Sequence, residues 1–569
     1  MTVRVRPAVW ALSPYRGLTA GRPRVRLDGN ESPFGSPERS RYPETAPLQS
    51  AWARYLKVPR RALLVTAGSG PAIALAAELV LDAGDAAVLL APSFELYGLA
   101  VRRRGARPIT VPTGAGRRFP LAGVRRALAV EGVRMCILGL PDNPTGVAPT
   151  PTQLRQLVDA FPRTLFVVDE AYGEFTGVSA LRLARARDNV LVLRTMSKAW
   201  GLAGMRVGAV LGPPRLIGVL ARLNVPYPVT AVAATAARDV LTDDRAMRAT
   251  VRHVRQEQPR LVRALRHCGL TVRNTTANFA LVETGSASRA AALVAALHLA
   301  GIAVRDRSHL PGMAGTVRIS VGSAADHATL LDALRLLLAP EPSSLLLDMD
   351  GTLVDVSRSY DEIIWRLVRK YAGGKAGSRE EVLAVKNRPD ANDDVDAIML
   401  ALSDRRVAVD RTEVARAFLA LHSGSGQLFR RDRWLLGATD LRALARRRPL
   451  AVVTGRPRNE LALAFRLAPV RRYFGALISA DDTRRRKPDA APVHKALRTL
   501  GVRGGWMIGD SPADLLAARA ANIPAIGVAT GARADLLRTY QPLAVLDSAA
   551  RLSAIMRGRD LLAAAEEDA

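Results

Sequence analysis

Lysine is nearly missing from this chain. Only seven of its 82 basic residues are lysine, and before residue 370 only Lys57 and Lys198 occur. A lysine inside a motif is therefore not background. Cysteine is scarcer still, with Cys136 and Cys268 the whole complement, which excludes a disulfide framework and a cysteine-rich zinc site. The seven histidines are scattered, without an HxxxH or HExxH pair. Any metal is thus expected on oxygen ligands and should be hard, such as Mg²⁺. No uninterrupted apolar stretch reaches the roughly 18 residues needed to span a bilayer. The N-terminal MTVRVRPAVWALSP holds an apolar run too short for a secretory signal. A cytoplasmic protein with no membrane partner is the expectation.

What is present is a long chain with abundant arginine. At 569 residues it exceeds what one hydrophobic core supports. The formal charge of +30 is spread along the sequence and is not gathered on one tail with interleaved aromatics, so no specific nucleic-acid partner is expected. Strand-like runs alternate with helix-length segments, as in ALLVTAG, AAVLLAPS, RMCILGLP, TLFVVDEAY and NVLVLRTMSK. That rhythm predicts an α/β fold with a mainly parallel sheet and functional residues at the carboxyl ends of strands. A first region over 1–340, with a smaller subdomain from about 230, is followed by a linker at 341–344 and a second region over 345–569. Within the latter, about 357–447 reads as a helical insertion.

In the first region Lys198 follows Thr195, Met196 and Ser197 just after the strand-like NVLVLR, and Arg206 comes eight residues later beyond a Gly-Leu-Ala-Gly turn. A lysine near a cofactor aldehyde can form a Schiff base, while hydroxyls and an arginine close by can bind phosphate. VVDEAY places Asp169 at a strand end, where a carboxylate can keep a pyridinium nitrogen protonated, with Tyr172 just past it. PDNPTG offers Asn143 as an amide donor in a proline-braced turn.

This order of motifs resembles the fold-type I pyridoxal phosphate aminotransferases, and within them the histidinol-phosphate aminotransferases. LDGNESPFGSP, RYPE, PDNPTG, DEAYGEF, SKAWGLAGMRVG and VRISVG carry the resemblance. It implies Lys198 as the lysine that bonds to pyridoxal 5'-phosphate, Asp169 at the pyridine nitrogen, and Asn143 with Tyr172 at the phenolic oxygen. It implies Thr195, Ser197 and Arg206 around the cofactor phosphate, with Gly68 and Ser69 from the first glycine-rich loop. Phe94 matches the ring-stacking aromatic, and Tyr42 the tyrosine supplied by the neighbouring subunit, so a homodimer is implied. Arg318 matches the arginine that grips the acidic end of the substrate, with Arg305 a second candidate. The loop TAGSGPAI departs from the family by carrying Gly70 and Pro71 where an acidic pair is usual. The related threonine-phosphate decarboxylases stay open as an alternative, although their lysine loop lacks the GLAG segment.

The second region opens on LLLDMDGTLVD at 345–355. Asp348 at a strand end is a candidate nucleophile, and Asp350 can protonate a leaving group and then activate water. Thr454, Lys487, Asp510 and Asp514 follow in order. A carboxylate attacking a phosphate dianion needs its charge neutralised, which the Lys487 ammonium supplies together with Mg²⁺ held by Asp348, Asp510 and the carbonyl of Asp350, with Asp514 beside them. The order resembles the haloacid dehalogenase superfamily, a Rossmann-like fold. The insertion resembles its small mobile cap, which implies a small phosphorylated substrate. KNRPDANDDVDA at 386–397, with Lys386 and Asn387 at its basic start, is read as a solvated loop before a helix. The whole chain is thus expected to be bifunctional. It would transaminate histidinol phosphate or imidazole acetol phosphate and hydrolyse a phosphomonoester. An aminotransferase of other specificity joined to a housekeeping phosphatase is the alternative.

Overall fold

The computed structural model describes residues 3–567 apart from 14, 16–24, 26, 33, 37–39, 114–117, 389–393 and 530, and without the side chains of 387, 531 and 532. The chain forms two compact units. One comprises Met1–Ala290 and Arg305–Gly322, the other Ala291–Val304 and Ser323–Ala569. No helix among the described residues is long and apolar enough to cross a membrane.

The first unit is built on seven strands: β1 Leu63–Thr66, β2 Ala86–Ala91, β3 Arg107–Pro112, β4 Val133–Gly139, β5 Leu165–Asp169, β6 Val190–Thr195 and β7 Gly208–Leu211. They lie in the order β1-β7-β6-β5-β4-β2-β3. Strands β2 to β6 run parallel, and β7 is antiparallel to both its neighbours. The apolar runs are continuous because both faces are covered. Alternate residues feed opposite cores: Cys136, Leu138, Phe166, Val168, Val190 and Val192 enter one, and Met135, Ile137, Leu165, Val167, Leu191 and Leu193 the other. A second sheet, ordered β10-β11-β9-β8, is antiparallel, with β8 Thr271–Arg273, β9 Phe279–Glu283, β10 Arg305–Asp306 and β11 Thr316–Ser320.

The second unit holds a six-stranded parallel sheet ordered β16-β15-β12-β17-β18-β19. Its strands are β12 Leu345–Leu347, β15 Leu450–Val453, β16 Phe474–Ile478, β17 Trp506–Gly509, β18 Ala525–Val528 and β19 Ala544–Leu546. Between β12 and β15 the chain makes an antiparallel ribbon, β13 Val354–Asp355 against β14 Arg433–Trp434. The ribbon closes the base of a helical insertion containing Tyr360–Ala372, Arg379–Ala384, Asp394–Asp404 and Arg411–His422. Helix Ala438–Ala445 lies beyond the ribbon and packs with the long helix Ala549–Glu567. Helix Ala324–Leu338, expected from sequence to close the first region, packs on β19 and on Ala549–Glu567 within the second unit.

Close helix contact there depends on Gly558. A Cβ at this position would lie 2.9 Å from the Ala296 Cβ and 3.1 Å from Leu337 Cδ2. Gly558→Leu should therefore lower stability by about 1–3 kcal/mol, read as a lower midpoint in urea. An unchanged midpoint would mean that these helices separate freely.

Candidate functional sites

The first site forms at the carboxyl ends of β4, β5 and β6. Asp169 ends β5 and is buried. Its Oδ2 accepts from the Tyr97 hydroxyl at 3.0 Å and its Oδ1 from the Ala171 amide at 3.0 Å. Burial pushes Asp169 up to about 6, against the opposing Tyr97 and Ala171 hydrogen bonds and the Lys198 charge. Lys198 stands just past β6. Desolvation, then the Arg318 and Arg206 charges, lower its pKa, which favours the neutral, nucleophilic amine. Its Nζ lies 5.6 Å from the centre of the Tyr172 ring. Tyr172 is itself buried, edge-on to Phe279 at 5.6 Å.

Of the residues expected from sequence around a phosphate, Gly68, Thr195, Ser197 and Arg206 lie close together. Gly68 caps helix Ser69–Val80 without a side-chain hydrogen bond to its first turn, and free helix N-terminal amides of this kind suit an anion. The Thr195 hydroxyl donates to Ser197 Oγ at 2.9 Å, and Arg206 Nη1 donates to the same oxygen at 3.2 Å. Gly68 has φ of +87°, and a Cβ there would lie 2.8 Å from Arg206 Nη2. The bare backbone, hydroxyl pair and guanidinium make a donor set that fits a phosphate dianion.

On the opposite wall Arg318 Nη1 donates to Asn143 Oδ1 at 2.9 Å, and its guanidinium lies 5.4 Å from the Phe279 ring centre. Arg305 pairs in register with Arg318 across β10 and β11, placing both side chains on one face. Phe94 is half-buried and edge-on to Tyr97 at 5.6 Å. Tyr42 is 52% exposed and stacks on Tyr227 of its own chain at 4.6 Å.

Two residues here escaped sequence reasoning. Arg307 is 6% exposed, donates from Nη1 to Glu95 Oε2 at 3.3 Å, and has its pKa lowered by burial and by the Arg318 charge. Its only signal was its spacing of two from Arg305 in an extended segment. Asp142, beside Asn143, is fully buried. Its Oδ1 accepts from the Ser93 hydroxyl at 3.0 Å and the Asn143 amide at 2.7 Å, while Oδ2 has no partner among the described residues. Burial lifts its carboxyl to about 7.

The second site lies at the carboxyl ends of β12, β15 and β17 and opens into a cavity of about 340 Å³. Asp348 directly follows β12, and its amide donates to the Ile508 carbonyl of β17 at 2.8 Å. Lys487 Nζ donates to Asp348 Oδ1 at 2.7 Å, to Asp514 Oδ1 at 2.5 Å and to the Val453 carbonyl at 3.1 Å. Burial alone would discharge this amine, but the Asp348 and Asp514 carboxylates outweigh it and hold the ammonium charged. Burial and Asp514 in turn raise Asp348 well above the usual carboxylate range, with Lys487 opposing.

Asp348, Asp510 and Asp514 each bring an oxygen within 4.8 Å of the others. Asp514 is already engaged, because Ser511 caps helix Pro512–Ala520 and gives Oδ2 both its amide and hydroxyl, while Lys487 takes Oδ1. Asp510 pairs with Arg533 at 2.9 Å, and burial raises its carboxyl to about 6. An all-oxygen carboxylate cluster of this kind fits a hard divalent cation, with Asp348 and Asp510 the freer ligands. Gly351 is required beside it, since with φ of +70° a Cβ there would lie 2.0 Å from Asp510 Oδ2. The buried Thr454 accepts from the Arg456 amide at 3.1 Å.

Lys386 corrects the loop reading. It is half-buried in the cavity wall, paired with Asp361 at 2.8 Å and Asp394 at 3.6 Å. Of the acids in that stretch, Asp390 and Asp393 lie outside the described residues, as does the Asn387 side chain. Arg456 was also missed, although it forms part of the cavity wall and its guanidinium reaches Asp350.

With these geometries in place, comparison with known proteins identifies the class. Residues 30–335, more than half of the chain, match the family described as aminotransferase class I and II. Residues 343–522 match the haloacid dehalogenase-like hydrolases. The chain belongs to the class I and II aminotransferase family and carries a haloacid dehalogenase-like hydrolase domain behind it. It is 33% identical to a histidinol-phosphate aminotransferase of Roseiflexus castenholzii, over 59% of this chain and 98% of that protein. It is 34% identical to an aromatic amino acid aminotransferase of Thermobifida fusca, over 58% and 96% respectively. A solved histidinol-phosphate aminotransferase from Sinorhizobium meliloti aligns with a TM-score of 0.49 at 26% identity, over 52% of this chain and 81% of that one.

The geometry of the first site can be tested at Gly68 and at Asp142. Gly68→Ala should weaken pyridoxal phosphate binding at least about tenfold, since the Arg206 guanidinium must shift and the backbone is strained. Equilibrium dialysis of the cofactor checks this, and an unchanged Kd would show that the loop is not the cradle. Asp142 should impose a pH dependence. Its folded value of about 7 exceeds the ordinary 3.8, so between them the folded chain binds the extra proton and stability falls as pH rises. Asn has no such proton. In urea unfolding, Asp142→Asn should gain about 1–3 kcal/mol on the wild type between pH 5 and pH 8, and an equal difference at both would mean the carboxyl is ionised throughout.

Proposed function

We infer that the chain is a bifunctional enzyme that transfers an amino group between histidinol phosphate and 2-oxoglutarate and hydrolyses a phosphomonoester, with histidinol phosphate itself the favoured ester. The observation that supports it most is that each half has its own lysine set among charges at strand ends: Lys198 near Asp169 and Arg318, and Lys487 between Asp348 and Asp514. Pyridoxal phosphate, when bound, supplies the electron sink for bond breaking at the substrate α-carbon. Gly68, Ser69, Thr195, Ser197 and Arg206 would hold its phosphate, and Asp169, Asn143, Tyr172 and Phe94 its ring. The lowered Lys198 amine takes the substrate's α-proton. The Arg318 and Arg305 guanidinia hold the anionic end. Exposed Phe34, Tyr42, Val225 and Val232 suit burial in a homodimer in which Tyr42 reaches the partner's site.

In the second half the Asp348 carboxylate attacks phosphorus, and the P–O ester bond breaks with Asp350 protonating the departing oxygen. Water then cleaves the phosphoaspartate, returning its proton to Asp350 and releasing phosphate. Mg²⁺ on Asp348, Asp510 and the Asp350 carbonyl would neutralise charge there. The Lys487 ammonium, 2.7 Å from the nucleophile, opposes the same charge. The two reactions in succession turn imidazole acetol phosphate into histidinol phosphate and then histidinol. The Thermobifida relative's name supports a second reading, an aromatic amino-acid aminotransferase joined to a general small-molecule phosphatase.

The purified chain, given histidinol phosphate, 2-oxoglutarate and Mg²⁺, should form glutamate and free phosphate. Lys198→Ala should abolish the first and spare the second. Asp348→Asn should do the reverse, with hydrolysis falling by about three orders of magnitude or more. A phosphatase kcat/KM for histidinol phosphate no better than for phosphoglycolate, sugar phosphates or pyridoxal phosphate would defeat the pathway and favour the second reading.

A further inference from the structure

Resting on the phosphatase reading above, we propose that Arg456 is the positioning residue for Asp350, holding one carboxyl oxygen so that the other carries the proton to the leaving group. Arg456 lies two residues beyond Thr454, and the side chain is 2% exposed. Its Nε donates to Asp350 Oδ1 at 2.8 Å, and its Nη2 donates to that same oxygen at 2.5 Å. Nη2 also donates to Asp432 Oδ2 at 3.2 Å, and the other Asp432 oxygen accepts from the Ser359 hydroxyl. Below the guanidinium lies the Tyr360 ring, 4.7 Å away at its centre, and the Tyr360 hydroxyl donates to Glu460 Oε2 at 2.6 Å. With a carboxylate behind it and an anchored ring beneath it, the fork is held in one orientation.

Stability does not account for this arrangement. A buried guanidinium costs several kcal/mol in lost hydration and recovers it only when its donors are satisfied. Nη1 of Arg456 is buried and has no partner among the described residues, so the pairing is incomplete. The two carboxylates of the DMD motif thus have different cations. Asp348 is served by Lys487, which Asp514 orients, and Asp350 by Arg456, which Asp432 orients. Each carboxylate is thereby committed to its own step. Asp348 faces the phosphorus with its charge compensated, and Asp350 is fixed through Oδ1, leaving Oδ2 to exchange the proton. Asp432, Ser359 and Tyr360 all belong to the insertion and its ribbon flank, whereas Arg456 follows β15. The orientation of Asp350 therefore depends on the insertion as well as on the sheet.

The test compares two esters. An alkyl phosphate such as glycerol phosphate or histidinol phosphate leaves as an alkoxide and needs a proton, whereas p-nitrophenyl phosphate leaves as a stable anion and does not. The value to compare is kcat/KM, which reports steps up to transfer of phosphate to Asp348 and not the later attack of water. In the double variant Arg456→Gln with Asp432→Asn both charges go together, so no unpaired carboxylate stays buried. Its kcat/KM should fall by about a hundredfold or more on the alkyl ester and by less than about threefold on the aryl ester. Arg456→Lys, which keeps the charge but not the two-donor fork, should show the same split at smaller size, and it decides the matter if the double variant does not fold. Equal loss on both esters would overturn the proposal, because damage to the fold or loss of a phosphate contact acts on both alike. If the wild-type chain hydrolysed neither ester in Mg²⁺, the phosphatase reading would fall and this assignment with it.

Discussion

Parallel strands satisfy their backbone hydrogen bonds with one another, but each must end, and the residue after the last bond is free to turn its side chain into the crevice at the sheet's carboxyl edge. Both candidate sites in this chain obey that constraint. Asp169 ends β5 and Lys198 follows β6. Asp348 follows β12, Thr454 follows β15 and Asp510 follows β17. The strands need both faces buried to be stable, and the alternation of side chains between two cores in the first unit supplies that burial. Reactive groups held on such a frame lose little orientation between turnovers.

The same burial makes charge the main difficulty. The second site solves it locally, by matching cations to carboxylates over distances of 2.5–3.6 Å. Where the matching is complete, as for Lys487 with Asp348 and Asp514, the lysine stays charged in spite of burial. Where it is incomplete, groups move toward neutrality, as Asp142 does at about 7. An arginine-rich composition has a consequence here. Arginine is the cation least readily discharged by burial, and Arg307 and Arg456 occupy interior positions that a lysine would hold less firmly.

Short-range order was legible in the sequence. NPTG, DEAY, SK and the later arginine each bring their functional group within a few residues of a strand end, so recognising the strand and the motif places the group as well. DxDGT, the threonine after β15 and the SPAD capping box behave in the same way, since Ser511 and Asp514 meet simply because a helix begins between them. Arg456, Lys386, Arg307 and Asp142 were not legible. Arg456 stands 106 residues from Asp350, and Lys386 stands 25 from Asp361. Asp350 and Arg456 meet because β12 and β15 pair side by side, and Lys386 meets Asp361 when the helices of the insertion pack together.

The sequence by itself determined two α/β regions and the strand ends at which Asp169, Lys198, Asp348, Thr454 and Asp510 stand, because strand alternation and a local motif act over short distances. Tertiary structure alone decided which cation serves which carboxylate, how far burial moves each proton, and that helix Ala324–Leu338 packs with Ala549–Glu567. Those outcomes depend on distances between residues far apart in the chain, and electrostatic energy in a buried site varies steeply with such distances while linear spacing carries no record of them.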